Sequence, residues 1–124
     1  MPQYKNPETI LVAEDEVELR TLVQMILTES GYTIIVAADG ADALAKARAH
    51  QGTIDLLLSD IEMPSKSGIE VASHFAVERP ETKILLMSGC PPALTAANHK
   101  WNLIPKPFTT ETLKGKVRAA LAHD

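Results

Sequence analysis

The sequence predicts an α/β domain in which helices cover both faces of a five-stranded parallel sheet. Short apolar runs rich in β-branched residues alternate with helical patterns along the whole chain, which is the pattern of repeated βαβ units. The chain has 124 residues, enough for one hydrophobic core and too few for two independent ones. We therefore expect a single domain of this class.

The first two strands and helices occupy the N-terminal part of the chain. The runs TILVA (residues 9–13) and TIIVA (residues 33–37) predict strands. The helix between them stops near Gly31, and its apolar face consists of Leu19, Leu22, Val23, Ile26 and Leu27. After the second strand, Asp39 and Gly40 open a helix that continues through Ala43, Leu44 and Ala47.

The same alternation continues after residue 50. IDLLLS (residues 54–59) and KILLMS (residues 83–88) predict the third and fourth strands. The helix between them begins at Gly68 and ends before Pro80, and its predicted buried face consists of Ile69, Ala72, Phe75 and Ala76.

The C-terminal part contains the fifth strand and the last helix. Pro91 and Pro92 leave room for only a short helix before a strand around Leu103 and Ile104. Thr109 is placed to cap the last helix. Phe108 and Leu113 stand at the positions of a hydrophobic staple, and Leu113, Val117 and Leu121 recur every four residues.

Charge and cysteine content exclude several classes of protein. With a net charge of -4 and no cluster of Lys or Arg, the chain lacks the basic surface that binds nucleic-acid backbones. Its single cysteine, Cys90, excludes an internal disulfide and fits a reducing cytoplasm. The polar N-terminal residues contain no apolar signal segment, and the apolar runs are only strand-sized. We expect a cytoplasmic protein with no direct nucleic-acid or membrane partner.

Acidic residues follow two of the predicted strands. Glu14 and Asp15 come directly after the first strand, and Asp60 comes after the third. Ligands of an open parallel sheet bind outside the carboxyl ends of its strands, so these carboxylates share a pocket if the two strands are neighbours. Clustered carboxylates repel one another unless some are protonated or a cation lies among them, and oxygen ligands of this kind suit Mg²⁺. The sequence therefore predicts a magnesium site.

Two further polar residues at strand ends suit phosphoryl transfer. An aspartate such as Asp60 can act as a nucleophile toward phosphorus. Ser88 ends the fourth strand and Lys106 follows the fifth, so a hydroxyl and an ammonium are available for the phosphoryl oxygens. Taken alone, Asp60 is more often a turn or cap residue and Lys106 a solvated surface lysine. Their combination with the acidic pair favours the functional interpretation.

These motifs resemble the response regulator receiver domain of bacterial two-component signalling. The resemblance rests on LVAEDE (residues 11–16), SDIEMPSKSG (59–68), LLMSG (85–89) and PKPF (105–108), which stand in the family's order and at its spacing. It implies a sheet of order 2-1-3-4-5 flanked by five helices, the fourth being short or irregular in this chain. The receiver domain would span residues 9–122, between tails at 1–8 and 123–124.

The resemblance also implies a role for each site residue. Asp60 would be the phosphoacceptor, and Mg²⁺ would be bound by Asp15, by Asp60, by the backbone carbonyl of Glu62 and, often through water, by Glu14. Ser88 and Lys106 would take the places of the family's hydroxyl residue and lysine, and the Lys106-Pro107 bond matches one that is typically cis in the family. Three residues before that lysine, where the family commonly has Tyr or Phe, this chain has Leu103.

Proteins of this family take a phosphoryl group from a phosphohistidine on a sensor kinase or a phosphotransfer protein. The resemblance implies a signalling domain that assists its own phosphorylation and dephosphorylation rather than an enzyme. It leaves open the downstream target and whether phosphorylation produces a dimer. One alternative is a pseudo-receiver that binds partners without phosphorylation. Another is a phosphatase with an aspartate nucleophile, which Glu62 in place of a second aspartate and the lack of room for a cap domain disfavour.

Overall fold

A computed structural model describes residues 7–89 and 101–122 of the chain. In these ranges, five parallel strands form one sheet of order β2-β1-β3-β4-β5. The strands are β1 (Thr9–Ala13), β2 (Thr33–Ala37), β3 (Leu56–Asp60), β4 (Lys83–Ser88) and β5 (Asn102–Pro105). The helices are α1 (Val17–Glu29), α2 (Gly40–Ala49), α3 (Gly68–Glu78) and α4 (Thr110–Ala122). The predicted fold class and strand order are confirmed.

Some predictions fall on residues outside this description. Cys90, the two prolines after it and most of the segment in which a short helix was predicted lie there, as do most of the N-terminal tail and residues 123–124. None of the four described helices is long and apolar enough to cross a membrane.

The hydrophobic core lies on both faces of the sheet. Successive side chains of a strand point to opposite faces, so Ile10 and Leu11 of β1 belong to different clusters. On one face, α1 and α4 supply Val23, Ile26, Leu27, Leu113 and Val117. On the other, α2 and α3 supply Ala43, Leu44, Ala47, Val71 and Phe75. Burial on both faces explains why the central strands are apolar throughout.

Two helices present different faces to the core from those predicted. In α3 the buried stripe is Gly68, Val71, Ala72 and Phe75, whereas Ala76 is exposed. In α1 the side chains of Val23, Ile26 and Leu27 are buried, but Leu22 is 50% exposed. At 3.6 residues per turn, Leu22 stands roughly a quarter turn from the centre of the buried stripe.

Polar side chains cap the N-termini of three helices, and two of these caps, Asp39 and Thr109, were predicted. Asp39 accepts a hydrogen bond from the N–H of Asp42 at the start of α2, and Thr109 accepts one from Thr112 at the start of α4. At the start of α3, Ser67 and Glu70 form a capping box, in which each side chain accepts from the other residue's backbone N–H.

Side chains of α2 bind backbone groups on the outer edge of β2. The backbone carbonyl of Ala37 accepts a hydrogen bond from the N–H of Glu14, on the side of β1. Backbone groups alternate in direction along a strand, so the carbonyl of Val36 and the N–H of Ala38 point away from the sheet. Lys46 Nζ donates to the carbonyl of Val36 at 2.7 Å, and the N–H of Ala38 donates to Asp42 at 2.9 Å. Lys46 and Asp42 are themselves 3.2 Å apart. The helix thus covers part of the open edge of the sheet.

The capping box generates the first prediction. Replacing Ser67 with alanine removes the acceptor for the Glu70 N–H, and we expect the free energy of unfolding to fall by about 1 kcal/mol. Urea denaturation followed by circular dichroism measures this change. The matched control is Ser73→Ala in the same helix, where the hydroxyl donates to a carbonyl already in the helix. Equal losses for the two variants would contradict a capping role.

Candidate functional site

Four of the predicted site residues meet at the carboxyl edge of the sheet. Glu14 follows β1, Asp60 is the last residue of β3, Ser88 is the last of β4, and Lys106 follows β5. Since β1 pairs with β3, the Glu14 and Asp60 side chains lie close together. Asp60 was predicted to follow its strand, but it is paired with Met87 and belongs to it.

Lys106 lies between the two buried carboxylates. Its ammonium nitrogen is 3.1 Å from Glu14 Oε1 and 3.2 Å from Asp60 Oδ1. Glu14 is 1% exposed and Asp60 is 4% exposed. The backbone N–H of Lys106 donates to the carbonyl of Ser88 at 2.8 Å, which fixes the start of this loop, and the Lys106-Pro107 bond is cis.

Both oxygens of the Glu14 carboxylate accept a hydrogen bond from the protein. Oε1 accepts a hydrogen bond from Lys106, and Oε2 accepts one from the backbone N–H of Glu16 at 3.0 Å. Its carbonyl accepts from the guanidinium of Arg20 at 2.8 Å. Glu14 is therefore fixed in position. The Arg20 contact, which joins the first turn of α1 to the end of β1, was not predicted.

The Asp60 carboxylate is much less satisfied. Oδ1 is buried and accepts no hydrogen bond from the described residues. The ammonium of Lys106, 3.2 Å away, is close enough for an ionic contact but does not have hydrogen-bond geometry. A buried carboxylate oxygen in this state carries a large desolvation penalty, so it favours a proton, a cation or a new covalent partner.

The ionisation of Asp60 and Lys106 reflects this environment. Burial and, after it, the charge of Glu14 raise the pKa of Asp60 from 3.8 to about 6, because Lys106 offsets only part of their effect. Burial alone would lower the pKa of Lys106, but its hydrogen bond to Glu14 and the negative charge of Asp60 outweigh that effect and raise it. Lys106 therefore stays charged beside an aspartate that binds protons readily.

The carboxylates fit a divalent cation. One oxygen from each of Glu14, Asp15 and Asp60 lies within 4.8 Å of the other two. Asp15 is exposed at the rim, while the other two line the buried side. This set offers only oxygen ligands, which Mg²⁺ prefers, and the orphaned Asp60 Oδ1 is available to it. The predicted roles of the Glu62 carbonyl as a metal ligand and of the Ser88 hydroxyl as a hydrogen-bond donor to the phosphoryl group stay predictions.

An apolar groove adjoins this pocket and was not predicted. It runs between α1 and the start of α4, and its lining includes Leu19, Leu22, Ile26, Pro107 and Phe108. Lys106 lines both the groove and the pocket. Val17 and Met25 of α1 are also more than half exposed. Apolar periodicity could not separate Leu22 from the core residues of the same helix.

Comparison with known proteins identifies relatives. The family model described as "Response regulator receiver domain" matches residues 10–118. The chain is 32% identical to the probable transcriptional regulatory protein TcrX of Mycobacterium tuberculosis, over 93% of this chain and 50% of TcrX. It is 31% identical to the sensor kinase CckA of Brucella abortus, over 91% of this chain and 12% of CckA. The chain thus spans half or less of these relatives' length.

Solved structures show the same similarity. The response regulator TrrA of Thermotoga maritima, determined in complex with Mg²⁺ and BeF, superposes with a TM-score of 0.80 at 34% identity. The match covers 91% of this chain and 98% of TrrA. The similarity therefore extends over the whole described sheet and its helices.

The pKa of Asp60 generates a prediction about stability. Because the folded protein holds this proton to about pH 6 and the unfolded chain releases it near pH 3.8, stability is present below the lower value and is lost as the pH rises through the higher one. Asp60→Asn removes this loss. We expect the variant's advantage in free energy of unfolding to be about 2 kcal/mol larger at pH 7.5 than at pH 4.5.

Urea denaturation in EDTA at both pH values measures this difference. Adding MgCl2 at pH 7.5 should reduce the difference in free energy of unfolding between Asp60→Asn and the wild type, since a cation that binds the folded wild type stabilises it. If the difference in stability between the variant and the wild type does not change with pH, the burial of ionised Asp60 is not its cause.

Proposed function

Because the chain belongs to the response regulator receiver domain family, we propose that it is a phosphorylation-dependent switch whose phosphoacceptor is Asp60. The main support is the state of Asp60 Oδ1, which is buried, lies 3.2 Å from an ammonium and accepts no hydrogen bond from the described residues. An oxygen of this kind is available as a nucleophile and has a cation beside it for the incoming negative charge.

In the proposed transfer, an Asp60 oxygen attacks the phosphorus of a phosphohistidine. A P–O bond forms as the P–N bond breaks, and the electron pair of the broken bond stays on the imidazole nitrogen. Lys106 is fixed where its charge can stabilise one phosphoryl oxygen, and we assign the Ser88 hydroxyl to another. In a later step, water would attack the phosphorus, break the P–O bond to Asp60 and release inorganic phosphate and the free carboxylate. We therefore propose that the domain assists both its own phosphorylation and its dephosphorylation.

We propose that Asp15, Asp60 and the backbone carbonyl of Glu62 hold Mg²⁺ directly. Both Glu14 oxygens already accept hydrogen bonds, which favours a contact through water for this residue. When bound, Mg²⁺ would supply positive charge to the carboxylates and to the phosphoryl oxygens. The complex of TrrA with Mg²⁺ and BeF supports this assignment.

We propose that phosphorylation is read through Ser88 at the end of β4. If the Ser88 hydroxyl moves toward the phosphate, the end of β4 would move with it. Lys106 would be affected too, because its backbone N–H donates a hydrogen bond to the Ser88 carbonyl. Leu103, partly exposed on β5, has no aromatic ring to move between inward and outward positions.

The partner that supplies the phosphoryl group is proposed to be a cytoplasmic sensor kinase or phosphotransfer protein. Its phosphohistidine must reach Asp60, so its surface must contact the rim of the pocket. The apolar groove is part of that rim, because Lys106 lines both. We propose that an apolar face of the donor beside the phosphohistidine packs on Leu22 and Phe108.

Intact mass spectrometry after incubation with acetyl phosphate tests the function. We expect one added phosphoryl group in the presence of Mg²⁺, and none with EDTA or in Asp60→Asn, because both the charge and the nucleophile are required. Urea denaturation confirms that the variant is folded.

An adduct on the folded Asp60→Asn variant would refute the assignment of the phosphoacceptor. If the wild type shows no adduct and also binds no beryllofluoride in ¹⁹F NMR, the proposal fails in favour of a pseudo-receiver.

The groove generates a prediction about the protein donor. Leu22→Glu replaces a half-exposed apolar side chain with a charge, so we expect transfer from a phosphorylated kinase to slow about tenfold more than transfer from acetyl phosphate. The kinase is the one that labels the wild type fastest in a panel. Val77→Glu on α3, where Val77 is 82% exposed, is the matched control. Equal slowing with both donors would rule out docking in the groove.

A further inference from the structure

The loop after Asp60 rests against the N-terminus of α2. This loop, residues 61–67, carries Glu62 and connects β3 to α3. Ser65 Oγ accepts a hydrogen bond from the backbone N–H of Ala41 at 3.1 Å. Gly40 packs so closely on Lys66 that a Cβ at position 40 would overlap the Lys66 carbonyl. The middle of the loop is thus held from a different element of the fold.

The held part of the loop has an uncommon backbone conformation. Ser65 has a φ of 68°, in the left-handed region that side chains other than glycine and asparagine rarely adopt. The N–H of Lys66 donates to the carbonyl of Pro64 at 2.9 Å and closes a three-residue γ-turn. A conformation of this kind persists only where its surroundings hold it, and here the surroundings are the first residues of α2.

Both ends of the loop are fixed to the pocket. The N–H of Ile61 donates to the carbonyl of Met87 at 3.0 Å, and the N–H of Gly68 donates to the carbonyl of Ile61 at 2.8 Å. A Cβ at position 68 would overlap the Asp60 carbonyl, so this end lies directly against the phosphoacceptor. Movement in the middle of the loop would therefore act on Glu62, which lies between the two fixed regions.

We propose that Gly40 and Ser65 are positioning residues for the Mg²⁺ site. They do not touch the ion, and they act by holding the loop so that the Glu62 carbonyl faces the carboxylates. Mg²⁺ requires near-octahedral geometry, so its affinity depends on residues that orient the ligands. This inference rests on the proposed function, because it assumes that the pocket binds Mg²⁺.

The first test substitutes alanine for two glycines. At Gly40 the new methyl meets backbone, which cannot rotate away, so the loop must move. At Gly115 in α4 a Cβ meets nothing within 4 Å, so Gly115→Ala is the matched control. Titration with MgCl2, followed by chemical shifts of backbone amides, measures the dissociation constant of the folded protein. We expect it to rise about tenfold in Gly40→Ala and to stay within about twofold in the control.

The second test uses Ser65 and needs no steric clash. Ser65→Ala removes the acceptor for the Ala41 N–H, so we expect faster exchange of that amide and a dissociation constant for Mg²⁺ raised about threefold or more. Ser65→Asn supplies an oxygen acceptor and tolerates positive φ, so we expect it to restore both values. A residue needed only for stability would lower the unfolding midpoint and leave the affinity of the folded protein unchanged.

The outcomes separate this inference from the proposed function. If wild type shows no shift with MgCl2, the proposed metal site fails and the positioning role fails with it. If wild type binds Mg²⁺ but folded Gly40→Ala and Ser65→Ala bind it equally well, only the positioning role is overturned. If Gly40→Ala does not fold, the comparison of Ser65→Ala with Ser65→Asn decides.

Discussion

The site depends on one ammonium shared by two buried carboxylates. Lys106 lies within 3.2 Å of both Glu14 and Asp60, and its single charge cannot balance two anions removed from water. Burial, together with the charge of Glu14, raises the pKa of Asp60 above its ordinary value although Lys106 lies beside it. A pocket short of positive charge favours cations, and one buried oxygen of Asp60 accepts no hydrogen bond from the described residues. The proposed metal binding and the proposed phosphoryl acceptance would thus have one physical origin.

The parallel sheet makes this arrangement possible. All five strands end at the same edge, so Glu14, Asp60 and Lys106 meet although 92 residues separate the first from the last. The apolar strand interiors hold these ends rigidly, because both faces of the sheet are covered by helices. The surrounding loops can then move while the Asp60 carboxylate stays in place.

Local patterns predicted most of the fold. β1, β2 and β4 have the predicted bounds, because each apolar run is flanked by polar or turn-forming residues. β3 begins and ends later than predicted, because it includes Asp60, whose partner across the sheet is Met87. Leu22 was assigned to the core, since periodicity cannot show where a buried stripe ends. In the strand predicted around Leu103 and Ile104, Leu103 is partly exposed, whereas Ile104 is buried.

The site itself was predicted in its residues but not in its supports. Motif order and the geometry of a parallel sheet were enough to bring Glu14, Asp15, Asp60, Ser88 and Lys106 to one edge. The contacts of Arg20 with Glu14 and of Ser65 with Ala41 were not predictable, because no spacing rule relates a side chain to a backbone group in another element. Such contacts follow from packing, which the sequence encodes only collectively.

The covering of β2 by Lys46 and Asp42 has a consequence for the protein in a crowded cell. An uncovered edge strand offers backbone groups on which other chains can assemble, and α2 removes two of them at the end nearest the pocket. Another chain therefore cannot pair with these backbone groups at that end of β2. The helix thus hinders edge-to-edge assembly of chains and leaves the carboxyl edge of the sheet accessible.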